Sequence, residues 1–407
     1  MYLDTSYLST MQCRPAITTV SLGQSSLFPI ETKLVQAARL GFKAIELFYD
    51  DLEALAKKRC PTEEEPGRPE LLWAAREIRM ICDKLDLQIL NLQPFRFFEG
   101  LVDRNARDRI LTQTVPIWID ALRIFDADTI LVPSNFLPPD PKTGHARTIG
   151  DRDTIVGDLR ELAEIGAQQT PPVRFAYEAL AWGTHVNTWE VAWEIVQAVD
   201  RPNFGLAIDT FNIAAAIYAD PSSCDGTNGP TARADLLASL DRLESELDLD
   251  KLFIVQIADG ERLDEPLGPG HAFYVPGQPS RMSWSRNCRL FLCETQRKGY
   301  LPVVEILQRL LTMGWHGWLA YEVFSRTLAD PDPNTPANHA ERAASSWKSL
   351  VKLSQPAQKS DEVTSEKDVQ VELVQLGQRN DVGTESGIWR FKGWVQNWVM
   401  HQFAKVE

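Results

Sequence analysis

The chain has 407 residues, of which 42 are basic and 56 acidic, so its formal net charge is −14 at pH 7. This charge argues against a protein that binds nucleic acid or an anionic lipid surface. The hydrophobic share of 44% is typical of a soluble globular chain, and no run of about 18 apolar residues could span a bilayer. The start, MYLDTSYLSTMQC, has no signal-peptide pattern, so we expect a cytoplasmic protein.

Short apolar runs alternate eight times with longer amphipathic stretches. The predicted strands are 16–20, 43–48, 87–92, 128–133, 173–178, 204–209, 252–257 and 317–322. The predicted helices are 30–40, 68–85, 104–126, 151–168, 187–199, 231–247, 300–313 and 338–354. Asp151 and Asn187 are predicted N-caps, and Gly299 or Pro302 opens the seventh helix. Eight such units in strict order predict an α/β fold, a closed parallel (β/α)₈ TIM barrel rather than a doubly wound sheet.

Residues 1–14 are interpreted as a loose leader before a catalytic barrel over 15–354. Residues 355–386 are polar and charge-rich, which predicts a disordered linker. Residues 387–407 have apolar side chains at helical spacing, including Trp389, Trp394 and Trp398, which predicts a short amphipathic helix. We expect its apolar face to cover the barrel, to form a homo-oligomer or to touch lipid, although its thin basic face argues against stable membrane association.

Two connections are longer than is usual in a barrel: 214–231, after the sixth strand, and 258–298, after the seventh. Loops of this length in a compact domain are usually functional. Because both lie at the carboxyl ends of the strands, where catalysis occurs in this fold, we expect them to act as lids.

The last four predicted strands each end in an oxygen-bearing side chain. A carboxylate at the end of an apolar strand is costly to bury unless a cation compensates it. Carboxylate and amide oxygens suit Mg²⁺ or Mn²⁺, with Co²⁺ able to substitute, better than Zn²⁺. The sequence therefore predicts one divalent ion at the mouth of the barrel, with these ligands: Glu178, Asp209, Gln256 and Glu322.

Such an ion with open coordination positions predicts Lewis-acid chemistry on a carbonyl, with negative charge developing after a proton is removed next to a ketone. Isomerisation, epimerisation and β-elimination of a hydroxyl share this first step. The ligand pattern alone leaves the choice among them open.

Eight segments in order carry a resemblance to a known family: AITTVSLG (16–23), GFKAIELFYDDL (41–52), LQPFRFFEG (92–100), YEALAWGTHVNTWEVAW (177–193), IDTFNIA (208–214), VQIADGER (255–262), YVPGQPSRMSWSRNCRLF (274–291) and YEVF (321–324). With them the chain resembles the 3-dehydroshikimate dehydratases, within the sugar-phosphate isomerase/epimerase-like barrels. The resemblance implies a hydro-lyase of quinate and shikimate breakdown that converts 3-dehydroshikimate, a polyhydroxylated keto acid, to protocatechuate. It also implies one divalent ion on the same four ligands that the strand ends indicate.

The resemblance further implies that Arg96, together with Arg286 or Arg289, binds the substrate carboxylate. Bacterial members often carry a catalytic histidine three residues after the metal-binding aspartate, where this chain has Asn212. Because an amide is not a base at neutral pH, either another group, such as His185 or His271, transfers the proton, or the protein performs a different reaction on a related substrate.

Two alternatives remain beside the dehydratase. A metal-dependent isomerase or epimerase of a keto sugar or cyclitol could use Glu178 and Glu322 as its acid and base. A barrel that has lost activity would bind its ligand without turnover. The asparagine at position 212, in place of the histidine of bacterial members, is compatible with this alternative. A DNA-repair endonuclease of this fold needs many histidines in its zinc site, and the six of this chain together with its negative charge argue against that function.

Overall fold

The computed structural model describes residues 13–60 and 65–353. Eight parallel strands close into a barrel in the order β1-β10-β7-β6-β5-β4-β3-β2. The barrel strands are β1 (Arg14–Thr18), β2 (Ala44–Phe48), β3 (Gln88–Gln93), β4 (Thr129–Pro133), β5 (Arg174–Glu178), β6 (Phe204–Asp209), β7 (Leu252–Ile257) and β10 (Trp318–Tyr321). A separate antiparallel pair is formed by β8 (Asp259–Gly260) and β9 (Arg289–Leu290).

The helices lie around the barrel, and most of them present one apolar stripe to the outside of the sheet. They are α1 (Ile30–Arg39), α2 (Tyr49–Lys57), α3 (Arg68–Lys84), α4 (Arg104–Arg109), α5 (Val115–Phe125), α6 (Arg152–Ala167), α7 (Trp189–Val199), α8 (Thr210–Ile217), α9 (Ala232–Glu246), α10 (Ser280–Cys288), α11 (Val303–Thr312) and α12 (Thr335–Leu353). The main core lies between these helices and the strands.

The TIM barrel and all eight predicted strands are confirmed, each within two residues of the predicted bounds. The predicted helix 104–126 consists of α4, a π-helical turn over Ile110–Thr114, and α5. Pro116 follows that turn and has no N–H to continue the α-helical hydrogen bonds, which favours the wider turn.

The predicted helix starts are confirmed in part. Asp151 caps α6, since its carboxylate accepts a hydrogen bond from the Thr154 N–H at 2.9 Å. Asn187 was the wrong cap for α7, because the neighbouring Thr188 hydroxyl accepts from the Val191 N–H instead. Pro302, rather than Gly299, precedes the first residue of α11.

The sequence patterns missed α2, α8 and α10, and the predicted long loops were wrong in part. The connection 258–298 contains α10 and both strands of the β8–β9 pair, and 214–231 begins inside α8. All residues of α10 from 282 to 288 are buried. A helix buried on every side shows no 3.6-residue alternation of apolar and polar residues, so periodicity could not find it.

Some predictions lie outside the described residues. These are the leader up to residue 12, the linker 355–386 and the amphipathic helix 387–407, so the domain boundaries and the oligomer through the last helix stay predictions. Over the described ranges, no helix combines the length and the apolar character needed to cross a membrane.

Candidate functional site

Four side chains meet at the carboxyl-terminal mouth of the barrel because parallel strands end on the same side. Glu178 ends β5 and Asp209 ends β6, where it pairs in register with Gln256 of β7. Glu322 directly follows β10, and its N–H donates to the Ile257 carbonyl. The three carboxylates are buried, and each offers an oxygen that lies within 4.8 Å of the others. The structure thus brings the predicted ligands together.

The ionised form of the three carboxyl groups in this cluster is disfavoured. Burial raises the pKa of Glu178 well above its usual value, and the charges of Glu322 and Asp209 raise it further. Burial likewise raises the pKa of Asp209, and raises that of Glu322 to about 8. A cation bound between the carboxylates would relieve both the desolvation and the repulsion.

Gln256 completes an all-oxygen set. Its Nε2 donates to Glu46 Oε2 at 2.7 Å and to Glu322 Oε1 at 3.2 Å. Its Oε1 is buried and has no hydrogen-bond partner among the residues that the structure describes. A buried carbonyl oxygen without a donor, next to three crowded carboxylates, fits a divalent cation that accepts oxygen ligands. The cluster can therefore hold a metal ion.

Asn212 lies in the first turn of α8 and holds two of the carboxylates. Its Nδ2 donates to Glu178 Oε1 at 2.9 Å and to Asp209 Oδ2 at 3.0 Å. Its Oδ1 accepts from the Ala181 N–H at 3.1 Å, which fixes the direction of the amide. Both ends of the Asn212 side chain are thus engaged in holding the cluster.

Arg289, at the start of β9, is the cation that the structure places on this cluster. Its Nη1 donates to Asp209 Oδ2 at 2.7 Å and to Glu322 Oε2 at 3.2 Å, while its Nε donates to Ser285 Oγ at 2.9 Å. One guanidinium offsets part of the charge of three carboxylates. These bonds give Arg289 a role in holding the ligand carboxylates.

A cavity opens beside the cluster and is lined by both remaining candidate arginines. Arg96, after β3, pairs with Asp50 at 3.4 Å, and its guanidinium lies over the Phe48 ring. Burial lowers the pKa of Arg286 well below its usual value, and the positive charge of Arg96 lowers it further. Arg289 also lines the cavity, as do Glu178, Glu322 and four aromatic rings: Phe48, Phe136, Trp182 and Phe324.

The two candidate histidines do not line this cavity. The His185 side chain is exposed, and its Nε2 lies 2.9 Å from Thr148 Oγ1. His271 is half-buried, and its Nδ1 accepts from the Phe273 N–H at 3.1 Å. Their roles in proton transfer stay predictions.

A buried carboxylate in the middle of a barrel strand was not predicted from the sequence. Glu46, in the middle of β2, is 1% exposed and accepts hydrogen bonds from side chains of three other barrel strands. The signal that could have found it is the one used for the ligands, a charged residue inside an apolar strand.

Comparisons with known proteins agree with this geometry. The family model described as xylose isomerase-like TIM barrel matches residues 34–350. The chain is 44% identical over 348 residues to a curated 3-dehydroshikimate dehydratase of Neurospora crassa. The alignment covers 84% of this chain and 94% of the relative. A Pseudomonas aeruginosa protein of the same name is 31% identical over 76% of this chain, and the match spans 38% of that longer relative.

A solved structure supports the same architecture. A xylose isomerase-like TIM barrel/4-hydroxyphenylpyruvate dioxygenase fusion protein superposes with a TM-score of 0.59 and 26% identity, over 91% of this chain and 45% of that one. The Neurospora relative matches along nearly its whole length, and the strands that bear the four oxygen ligands all fall inside the matched barrel. The chain therefore belongs to the xylose isomerase-like TIM barrel family and, within it, to the 3-dehydroshikimate dehydratases.

Proposed function

We propose that this protein is a metal-dependent 3-dehydroshikimate dehydratase, a hydro-lyase that removes water from 3-dehydroshikimate to give protocatechuate. One observation carries the proposal: three buried carboxylates within 4.8 Å of one another adjoin a cavity lined by three arginines, Arg96, Arg286 and Arg289. A cation site beside an anion site suits a keto acid, whose carbonyl and carboxylate would be bound separately. The identity to the Neurospora dehydratase supports this substrate.

Four side chains would hold the ion: Glu178, Asp209, Gln256 and Glu322. The all-oxygen set favours Mg²⁺, Mn²⁺ or Co²⁺ over Zn²⁺. When bound, the ion would supply Lewis-acid stabilisation of the negative charge that develops on the substrate carbonyl oxygen. Asn212 and Arg289 would keep the carboxylates in place through the hydrogen bonds described above.

The substrate carboxylate would be bound by Arg96 and Arg286. Both guanidiniums are buried at the cavity, and a planar guanidinium can donate two parallel hydrogen bonds to a carboxylate. Arg289, the alternative partner, already donates to Asp209 and Glu322. The aromatic walls would contact the carbon ring and exclude water around the reacting atoms.

Proton removal next to the ketone needs a basic atom within hydrogen-bond reach of the substrate. Asn212 is no base, and its amide is engaged at both ends. Because neither His185 nor His271 lines the cavity, we assign proton transfer to a carboxylate that does, Glu178 or Glu322. The loss of the β-hydroxyl as water then leads to the aromatic product.

Incubation of the purified, metal-loaded protein with 3-dehydroshikimate tests the proposal. We expect a new ultraviolet band of a catechol acid and a product lighter by one water in mass spectrometry. Chelation should abolish the band, and added Mg²⁺, Mn²⁺ or Co²⁺ should restore it. Turnover of a keto sugar or cyclitol without loss of water, and no reaction with 3-dehydroshikimate, would show that the isomerase alternative is correct.

A further inference from the structure

Glu46 lies inside the barrel on the side opposite the candidate ligands of β5 and β6. Its carboxylate accepts four hydrogen bonds, from Thr18 Oγ1 at 2.9 Å, Asn91 Nδ2 at 2.8 Å, Gln93 Nε2 at 2.9 Å and Gln256 Nε2 at 2.7 Å. Three of these donors are amide nitrogens, which cannot accept a hydrogen bond. The side chains around Glu46 therefore favour a hydrogen-bond acceptor at this position. The hydrogen bond from Gln256 is the shortest of the four.

A glutamine amide has two ends of nearly equal shape, and only its neighbours decide which end faces which way. Glu46 offers oxygens alone, so Gln256 has to turn its nitrogen toward Glu46. The oxygen of the same amide then cannot face Glu46. In the structure Gln256 Oε1 is buried without a hydrogen-bond donor among the described residues.

We propose that Glu46 is a positioning residue for the metal site, which fixes the amide of Gln256 so that its oxygen, and not its nitrogen, is available to the cation. This inference rests on the proposed function, because it takes Gln256 as a metal ligand. Groups that orient a ligand without touching the ion typically change metal affinity by about 10- to 100-fold when they are removed.

The substitution Glu46→Gln tests the orientation directly. A glutamine at position 46 offers an oxygen and a nitrogen, so it no longer dictates which end of the Gln256 amide faces it. Glu46→Asp tests a different account, in which Glu46 acts only through its negative charge. It keeps the charge but shortens the side chain by one methylene, which withdraws the carboxylate from Gln256.

Glu99→Gln provides a matched control, because Glu99, in the segment after β3, is also a buried carboxylate and is 2% exposed. Glu99 Oε1 accepts from the Asn135 N–H at 2.6 Å and from the Tyr177 hydroxyl at 3.0 Å. Neither hydrogen bond involves Gln256. This control measures what the loss of a buried carboxylate does to the barrel in general.

Co²⁺ is titrated into the full-length metal-free protein without substrate, and its dissociation constant and visible absorption bands are measured. We expect both Glu46→Gln and Glu46→Asp to weaken Co²⁺ binding by about 10- to 100-fold and to change the absorption bands. Glu99→Gln should leave both within about threefold of the original protein. In a Gln256→Ala background, Glu46→Gln should cause no further loss, because the amide that it positions is absent.

Two results would overturn the inference. One is unchanged Co²⁺ affinity and absorption in folded Glu46→Gln. The other is an equal loss with and without Gln256, which would show that Glu46 acts through its charge or the fold. If Glu46→Gln does not fold, Glu46→Asp carries the same two criteria. Failure of the unsubstituted protein to bind Co²⁺ would overturn the proposed metal dependence instead, so the two failures are distinguishable.

Discussion

Two clusters of charged side chains in this barrel differ in their balance of charge: the Asp158 cluster, which contains Arg104 and Arg107, and the mouth cluster, which contains Glu178, Asp209, Glu322 and Arg289. Asp158 of α6 accepts hydrogen bonds from the Gly100 N–H at 2.9 Å, from Arg104 Nη1 at 3.0 Å and from Arg107 Nε at 3.1 Å. Two guanidiniums thus serve one buried carboxylate. At the mouth of the barrel, one guanidinium, that of Arg289, contacts a cluster of three buried carboxylates.

Burial of a carboxylate does not by itself indicate function. In the Asp158 cluster, the charges of Arg104 and Arg107 compensate the buried carboxylate. These contacts connect the segment after β3 to α6, as structural ion pairs do. The mouth cluster has three carboxyl groups for one guanidinium, so full ionisation would leave an excess of negative charge, and the pKa values of Glu178 and Glu322 are raised accordingly. An unbalanced cluster of this kind is typical of a site that binds a cation.

Removal of one mouth carboxylate should have the largest effect on activity. We expect Glu178→Gln and Asp209→Asn to lower kcat by at least about 10³-fold, because each removes a ligand of the ion that stabilises the developing charge. The rate of protocatechuate formation measures this loss. Asp158→Asn is the matched control. Comparable losses of kcat in all three variants would contradict the assignment of a structural role to the Asp158 cluster and a catalytic role to the mouth cluster.

Asp158→Asn should instead lower stability. The substitution removes the buried carboxylate that pairs with Arg107 and leaves this guanidinium only its exposed partners, Asp108 and Glu161, so we expect the free energy of unfolding to fall by about 3 kcal/mol. Urea unfolding followed by circular dichroism measures the change, with kcat measured on the same sample. Unfolding at the same urea concentration as the unsubstituted protein would contradict the structural role of this cluster.

Replacement of the cavity arginines should act mainly on substrate binding. We expect Arg96→Lys and Arg286→Lys to raise KM by about 10- to 100-fold with a smaller change in kcat, because an ammonium group cannot reproduce the two parallel hydrogen bonds of a guanidinium. Steady-state kinetics separates the two parameters. An unchanged KM in both variants would argue against a substrate that carries a carboxylate.

The metal-free protein should lose stability as the pH rises. Burial raises the pKa of Glu322 to about 8 from a usual 4.5, so between these values the native state keeps a proton that the unfolded chain has lost. The free energy of unfolding then falls by at most about 1.4 kcal/mol per pH unit for each such carboxyl.

Because a bound cation requires ionised ligands, the metal-loaded protein should show a smaller loss over the same pH range. Denaturant unfolding at pH 5 to 8, with and without metal, measures the difference. Burial also raises the pKa of Glu99 and Asp259 to about 7, and these groups contribute equally to both forms. If the free energy of unfolding fell equally steeply with pH in the metal-free and the metal-loaded protein, the effect would arise from groups outside the mouth cluster.

Truncation of residues 360–407 should have the smallest effect on the site. The ligand set ends at Glu322 and α12 ends at Leu353, so we expect Co²⁺ affinity and kcat within about twofold of those of the full chain. Light scattering should show a change of solubility or oligomeric state. A truncated protein that is soluble, keeps its native mass and fails to bind metal would contradict this expectation.

The parts of the site that follow from strand order could be predicted. Glu178, Asp209 and Gln256 lie at the ends of apolar runs, and parallel strands necessarily bring those ends to one mouth. The choice between Arg286 and Arg289 could not be made, because both lie in a segment without periodicity. Only the fold shows that both line the cavity and that Arg289 donates to the ligand carboxylates.

The sequence by itself determined the eight strand–helix units, the barrel and the side chains that end its last four strands, because these depend on local periodicity and on a simple rule of topology. Only the tertiary structure decided which polar groups meet across the barrel. Glu46 and Gln256 are 210 residues apart along the chain, yet their side chains form a 2.7 Å hydrogen bond. Such contacts depend on the closure of the barrel, which places distant strands opposite one another, and local sequence carries no record of that pairing.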